Sequence, residues 1–199
     1  MSLGPAAAAS RPGWPFVLLL LLAAAPRLHD LGGLGFSGAE DYVVLASRGI
    51  LERGWPELPS GVVYPRSLPY SYLVAASVAL LGESELAVRL PGALLSVAGV
   101  GLAYALTRLA FGPAAGLLCG LVLALSDWDI VMGRTARMYG PLTVSGLTLV
   151  WLLARRLVHG DDASWAWSVL LGALTGALHR LALALAAPLA LPSLLPGRG

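Results

Sequence analysis

The chain has 199 residues, of which 57% are hydrophobic and 12% are charged, well below the roughly 25% charged residues of a soluble domain. The net charge of +2 is small and dispersed, which excludes a basic nucleic-acid-binding surface. Cys119 is the only cysteine, which excludes a disulfide framework and a cysteine-rich metal site. These values indicate an integral membrane protein.

The spacing of the charges predicts six membrane spans. The first is Pro12 to Leu28, with Arg11 and Arg27 extending to the two interfaces. The alternative for this run is a cleaved signal peptide, which the alanines at 23–25 favour and the following proline disfavours. Five uncharged stretches of seventeen or eighteen residues follow, and each can cross a bilayer with its flanking residues. They lie between Arg89 and Arg108, Arg108 and Asp127, Arg137 and Arg155, Asp162 and Arg180, and Arg180 and Arg198.

A polar loop of 60 residues, 28–87, separates the first two spans and holds seven of the eleven acidic residues. Within it, Tyr42 to Leu51 is predicted to form a short helix. Gly54 to Pro69 is rich in Pro and Gly and is predicted to be irregular. Leu68 to Leu81 is uncharged but too short to span, which predicts a helix lying at the membrane surface. The predicted fold is one all-α polytopic domain over residues 1–199, with interfacial helices in its first extracytoplasmic loop.

The arginines run against the usual rule that basic residues in short loops mark the cytoplasmic side. With the N-terminus inside, five arginines are cytoplasmic and seven are outside. Either the orientation is reversed, or the outer arginines bind an anionic group. Contact with lipid headgroups is the simpler reading for arginines at helix ends. The seven are Arg48, Arg53, Arg66, Arg89, Arg134, Arg137 and Arg180.

Glu40 and Asp41 form an adjacent pair of carboxylates in the polar loop. A positioned carboxylate can act as a general base, and solvation or helix capping is the simpler alternative. His29, His159 and His179 lack the spacing of metal ligands, so neither a metal nor a cofactor is predicted.

Several short elements follow one another in a set order: the acidic pair, YPRSLPY at Tyr64 to Tyr70, GESELAVRLP at Gly82 to Pro91, and RTARMY at Arg134 to Tyr139. This order resembles the C-type (GT-C) membrane glycosyltransferases. Over residues 14–196 it is similar to the family of bacterial aminoarabinose transferases and dolichyl-phosphate-mannose protein mannosyltransferases. Such proteins are usually more than twice as long, so the chain is expected to be an N-terminal, incomplete part.

The resemblance implies transfer of a sugar, with inversion, from a polyprenyl-phosphate donor to a hydroxyl of a lipid, glycan or protein acceptor. The expected location is the extracytoplasmic face of a bacterial inner membrane. The family's usual Asp-Glu pair reads Ala39-Glu40 here, followed by Asp41. Either Glu40, the first candidate, or Asp41, the second, is the base, or the base is missing.

By the same resemblance, four arginines are candidates for binding the donor phosphate: Arg66, Arg134, Arg137 and Arg180. Arg89 stands in an Arg-Leu-Pro setting typical of the family, and it could equally cap the second span. Two other functions stay open. A transporter is disfavoured because the ionisable residues lie at span ends rather than near the bilayer midplane. A non-catalytic membrane assembly subunit, or an inactive truncated fragment of a glycosyltransferase, is the third possibility.

Overall fold

A computed structural model describes residues 13–159 and 162–178. Over these residues the chain is all α, as predicted, and forms eight helices. The predicted helix over Tyr42–Leu51 is confirmed within a longer one, and the helix over Leu68–Leu81 is confirmed at both ends. The helices are α1 (Trp14–Leu28), α2 (Gly38–Arg53), α3 (Leu68–Leu81), α4 (Glu85–Phe111), α5 (Pro113–Ala124), α6 (Asp127–Arg134), α7 (Tyr139–His159) and α8 (Asp162–Leu178).

Only α4, among the described helices, is by itself long and apolar enough to cross a membrane. The pair α5 and α6 would provide a second crossing if the two count as one span despite the 60° bend between them. Four other apolar stretches, in α1, α3, α7 and α8, are shorter. The predicted count of six spans is therefore not confirmed, and the last predicted span, Arg180 to Arg198, lies outside the described residues.

Local sequence explains where α2 and α4 begin and end. At the start of α2, Ser37 and Glu40 form a reciprocal capping box, and Gly54 ends the helix with a φ of 82°. At the start of α4, the Ser84 hydroxyl accepts a hydrogen bond from the Ala87 backbone N–H at 3.2 Å. Gly112 ends α4 with a φ of 92°, a conformation that favours glycine.

Two apolar clusters hold the helices together. One joins α2 and α3 to the first turn of α4 and to the segment between α6 and α7. The other joins α1, α4 and α5. Burial of these side chains fixes α4 as the central helix that both clusters share. The first cluster contains Val43, Val44, Tyr70, Val74, Val78, Ala87, Val88 and Ala136, and the second Leu19, Ala23, Val100, Tyr104 and Ala124.

Arg27 is completely buried, so the expectation that it extends to the membrane interface is wrong. Its Nε donates to Ser96 Oγ at 2.8 Å, and its Nη2 donates to Asp129 Oδ2 at 2.6 Å. Its other hydrogen bonds go to the carbonyls of residues 23, 123 and 124. Two of those carbonyls, at residues 123 and 124, end α5, where the bend interrupts the helical hydrogen bonds, and the guanidinium donates to both. The Leu123 carbonyl also accepts from the Ser126 N–H at 3.3 Å. We call Arg27, Ser96 and Asp129 the Arg27 network.

Candidate active site

Glu40 lies in the first turn of α2, where the helical period turns its side chain away from solvent and toward α4. There it meets Arg89 in a two-pronged ion pair. Arg89 Nε donates to Oε1 and Arg89 Nη2 donates to Oε2, each at 2.9 Å. Ala136 N–H donates to Oε1 at 2.8 Å. One carboxylate therefore ties together α2, α4 and the segment between α6 and α7.

The Glu40 carboxylate has no free acceptor position left. Besides Arg89 and Ala136, the backbone N–H and the hydroxyl of Ser37 donate to Oε2 at 3.0 and 3.1 Å. Five donors thus occupy the roughly four lone-pair sites of the carboxylate. Burial acts to raise its pKa, but the hydrogen bonds from Arg89, Ala136 and Ser37 outweigh burial and lower the pKa from 4.5 to about 2.

Arg89 uses its remaining donors on the segment between α1 and α2. It donates to the carbonyls of Leu31, Leu34 and Gly35 at 3.0, 2.6 and 3.0 Å, and its guanidinium lies 5.4 Å from the centre of the Phe36 ring. Arg89 therefore does more than cap a helix. We call Glu40, Arg89, Ser37 and Ala136 the Glu40 hub, because distant segments of the chain converge on these residues.

Asp41 follows Glu40 along α2, and the turn of the helix carries its side chain off the buried face, so that it is exposed to solvent. It makes no ion pair or hydrogen bond with any residue that the structure describes. The two adjacent carboxylates therefore have opposite environments. Glu40 is enclosed and fully bonded, while Asp41 is accessible to a ligand next to the hub.

A stack of two tyrosines holds the chain segment that carries Arg66 against α2. The rings of Tyr42 and Tyr64 stack with their centroids 5.7 Å apart and their planes at 11°. Because Tyr42 follows Asp41 and Tyr64 precedes Arg66 by two positions, the stack places these two chain segments side by side. Arg66 is exposed and pairs with no described acidic residue. We refer to Tyr42 and Tyr64 as the tyrosine pair.

Arg134 and Arg137 differ, although both were candidates for the donor phosphate. Arg134 Nη1 donates to the carbonyls of Pro26 and His29, each at 2.5 Å, and so binds the end of α1. Arg137 follows Ala136 of the hub and lies 5.2 Å from the centre of the Tyr139 ring, without an acidic partner among the described residues. Both arginines are charged, but the N–H donors of Arg137 remain available for an anion, whereas Arg134 uses Nη1 and Nη2 on backbone carbonyls.

The structure adds little on the last candidate arginine and on a metal site. Arg180 lies outside the described residues. Within residues 13–159 and 162–178, no group of three or more His, Cys, Asp or Glu side chains could hold a metal ion. Sequence reasoning missed the Arg27 network entirely. A signal was present, since a charged residue close to an apolar run usually has a buried partner, but nothing local to it pointed to Asp129.

Residues 66–195 match the model of the family described as dolichyl-phosphate-mannose-protein mannosyltransferase. This chain belongs to that family. The resemblance seen in the sequence is therefore confirmed, and the family implies a glycosyltransferase. Family members are membrane proteins, which the apolar helix α4 fits. Arg66, Arg137 and two of the four hub residues, Arg89 and Ala136, lie within the match, whereas Ser37, Glu40 and Asp41 precede it. No curated protein and no solved structure matches the chain significantly.

Proposed function

We propose that the chain catalyses transfer of a sugar from a polyprenyl-phosphate donor to an acceptor hydroxyl, at the membrane face where the Glu40 hub lies. The observation that carries this proposal is the arrangement around the hub in a chain of this family. Asp41, an accessible carboxylate, and Arg137 each follow a member of the hub in the chain, and the tyrosine pair holds the segment of Arg66 against α2. Neither arginine has an acidic partner among the described residues. The extracytoplasmic side, the inner membrane of a bacterium and the six spans belong to the same proposal.

In this reaction the acceptor oxygen attacks the anomeric carbon while the bond from that carbon to the phosphate oxygen breaks, which inverts the configuration. Asp41 accepts the proton of the hydroxyl, and we assign it this role ahead of Glu40 because Glu40 has no lone pair free for an acceptor. The departing lipid phosphate gains negative charge. Arg66 and Arg137 stabilise that charge by charge-assisted hydrogen bonds. A lipid, glycan or protein hydroxyl suits this chemistry equally.

The other two candidate arginines enter the proposal differently. Arg134 holds the end of α1 against α6 and positions the segment that carries Arg137. Arg180 remains a proposed phosphate contact. The Glu40 hub acts as the support of the site, since it fixes α2, and with it Asp41, relative to α4 and the segment that follows α6.

Sugar transfer by the purified protein in liposomes, with a panel of polyprenyl-phosphate sugars, tests the proposal. Asp41→Asn should lower the rate by about 100-fold or more, the usual contribution of a general base, without lowering the unfolding temperature. Asp127→Asn removes another exposed carboxylate, at the start of α6, and should leave the rate unchanged.

Arg66→Ala should lower the rate far more than Arg53→Ala, which removes an exposed arginine of the same loop that already pairs with Glu52 and Glu57. Full activity of Asp41→Asn would contradict the assignment of the base. Absence of transfer by the unaltered protein with every donor would contradict the proposed function.

A further inference from the structure

The tyrosine pair is an exposed aromatic surface to which the roles assigned above give no part. Tyr42 is 51% exposed even though Tyr64 covers one face of its ring. The face of Tyr42 that is turned away from Tyr64 is therefore open to a ligand. The half-exposed ring of Tyr42 and the less exposed ring of Tyr64 lie near Asp41 and Arg66 in the chain, neither of which pairs with a described residue of opposite charge. Together they form a surface that is both apolar and flanked by charge.

The stack is not the only contact that holds the loop, because backbone contacts do so as well. The Tyr64 N–H donates to the Pro56 carbonyl at 2.8 Å, and residues 57 and 63 form a β-bridge. Gly49 of α2 lies so close to the loop that a Cβ there would come within 2.3 Å of the Glu57 carbonyl oxygen. The loop is thus packed on α2 through main-chain atoms, and the two rings are available for another role.

The chemistry of the neighbours indicates what the rings meet. In a polyprenyl-phosphate sugar, the sugar ring is one oxygen atom away from phosphorus, so a phosphate held by Arg66 leaves its sugar close to Tyr64 and Tyr42. The face of an aromatic ring carries partial negative charge, and the C–H bonds of a sugar are polarised positive by the attached oxygens. Ligand sites commonly combine such aromatic walls with a few charged groups.

We propose that the tyrosine pair binds the sugar ring of the lipid-linked donor by stacking, beside Arg66 at the phosphate and Asp41 at the acceptor hydroxyl. This inference rests on the proposed function and adds a subsite to it. Stacking uses the faces of the rings rather than their hydroxyls, so the pair recognises a sugar ring without selecting the position of any one hydroxyl group.

Binding of two lipids to the full chain in nanodiscs tests the inference: polyprenyl-phosphate mannose, and the same polyprenyl phosphate without a sugar. Tyr42→Leu and Tyr64→Leu should weaken binding of the sugar-bearing lipid by about fivefold to tenfold, which is the range of an aromatic stacking contact. Binding of the bare phosphate should not change. Phe at either position should retain the affinity, because the aromatic face remains.

Two further variants serve as controls. Arg66→Ala should weaken binding of both lipids, since both carry the phosphate. Tyr72→Phe removes the hydrogen bond from the Tyr72 hydroxyl to the Gly54 carbonyl, 2.9 Å long, at the other end of the loop. It should change neither affinity, which separates an effect on the sugar from general loosening of the loop.

Equal weakening of both lipids by the Leu variants would overturn the inference and indicate that the pair supports the loop or contacts the membrane. Unchanged binding of both lipids would also overturn it. If the Leu variants raise only the KM of the acceptor in the transfer assay, the tyrosine pair contacts the acceptor and the inference is wrong. If the unaltered protein binds neither lipid, the proposed function itself fails. If it binds both and transfers sugar while the Leu variants behave normally, only the subsite is wrong.

Discussion

Glu40→Gln is the substitution that most directly tests the ion pair at the centre of the site. Gln has nearly the same shape as Glu, but one of its oxygens becomes an NH₂ group. Both carboxylate oxygens of Glu40 accept a hydrogen bond from Arg89, so in either orientation the amide places a donor against a donor. Arg89, whose side chain is only 8% exposed, loses its counter-charge in a place where water cannot replace it.

The magnitude follows from the pKa of Glu40. A pKa lowered from 4.5 to about 2 corresponds to about 3 kcal/mol of stabilisation at neutral pH, within the roughly 3–5 kcal/mol usual for breaking a buried pair. For a chain of this length, Glu40→Gln should lower the unfolding temperature by about 6–12 °C. Thermal unfolding followed by circular dichroism in one detergent, at pH 7, measures this change.

The lowered pKa of Glu40 also predicts how the stability of the fold changes with pH. Since the folded-state pKa is lower than the unfolded one, the ionised carboxylate stabilises the fold above pH 4.5, and this contribution is lost as the pH falls from 4.5 toward 2. The unaltered protein should lose stability in this window, while Glu40→Gln should not show that loss. Glu83→Gln, which breaks the exposed ion pair with Arg48, should cost less than about 1 kcal/mol. Equal effects of the two substitutions would refute the reasoning.

Two other predictions concern the frame around the site. Asp129→Asn should destabilise the protein by about 3 kcal/mol, because it leaves the fully buried Arg27 without its counter-charge. Asp127→Asn on the same helix should cost under about 1 kcal/mol. Thermal unfolding of the two variants measures both costs, and equal costs would contradict the prediction. Gly140→Ala should destabilise by about 1–3 kcal/mol, because the added Cβ would lie 2.6 Å from the Gly92 carbonyl oxygen between α7 and α4. Gly38→Ala, with open space at its Cβ, is the matched control, and an unchanged unfolding temperature for both would show that α4 and α7 separate easily.

Some assignments could not be made from the chain alone, and the two adjacent carboxylates show why. In the sequence, Glu40 and Asp41 are equivalent members of a polar loop. In the structure, the turn of α2 directs Glu40 onto Arg89, 49 positions later, and onto Ala136, 96 positions later. The order of preference between the two candidate bases therefore depended on partners that no local pattern indicates. The different roles of Arg134 and Arg137 could not be predicted from the sequence for the same reason, because the carbonyls that bind Arg134 belong to the distant end of α1.

The sequence by itself determined the all-α fold class, the family and the two predicted helices of the polar loop. The fold class and the helices follow from hydrophobic runs and from Pro and Gly positions, which act over a few neighbouring residues. Only the tertiary structure decided which charges are enclosed and which are accessible. From the sequence, Arg27 was expected at the membrane interface. In the fold it is buried and donates to carbonyls at the end of α5, next to the bend before α6. The physical reason is that the free energy of a buried charge depends on whether donors and acceptors from distant segments converge on it, and their convergence is a property of the packed helices.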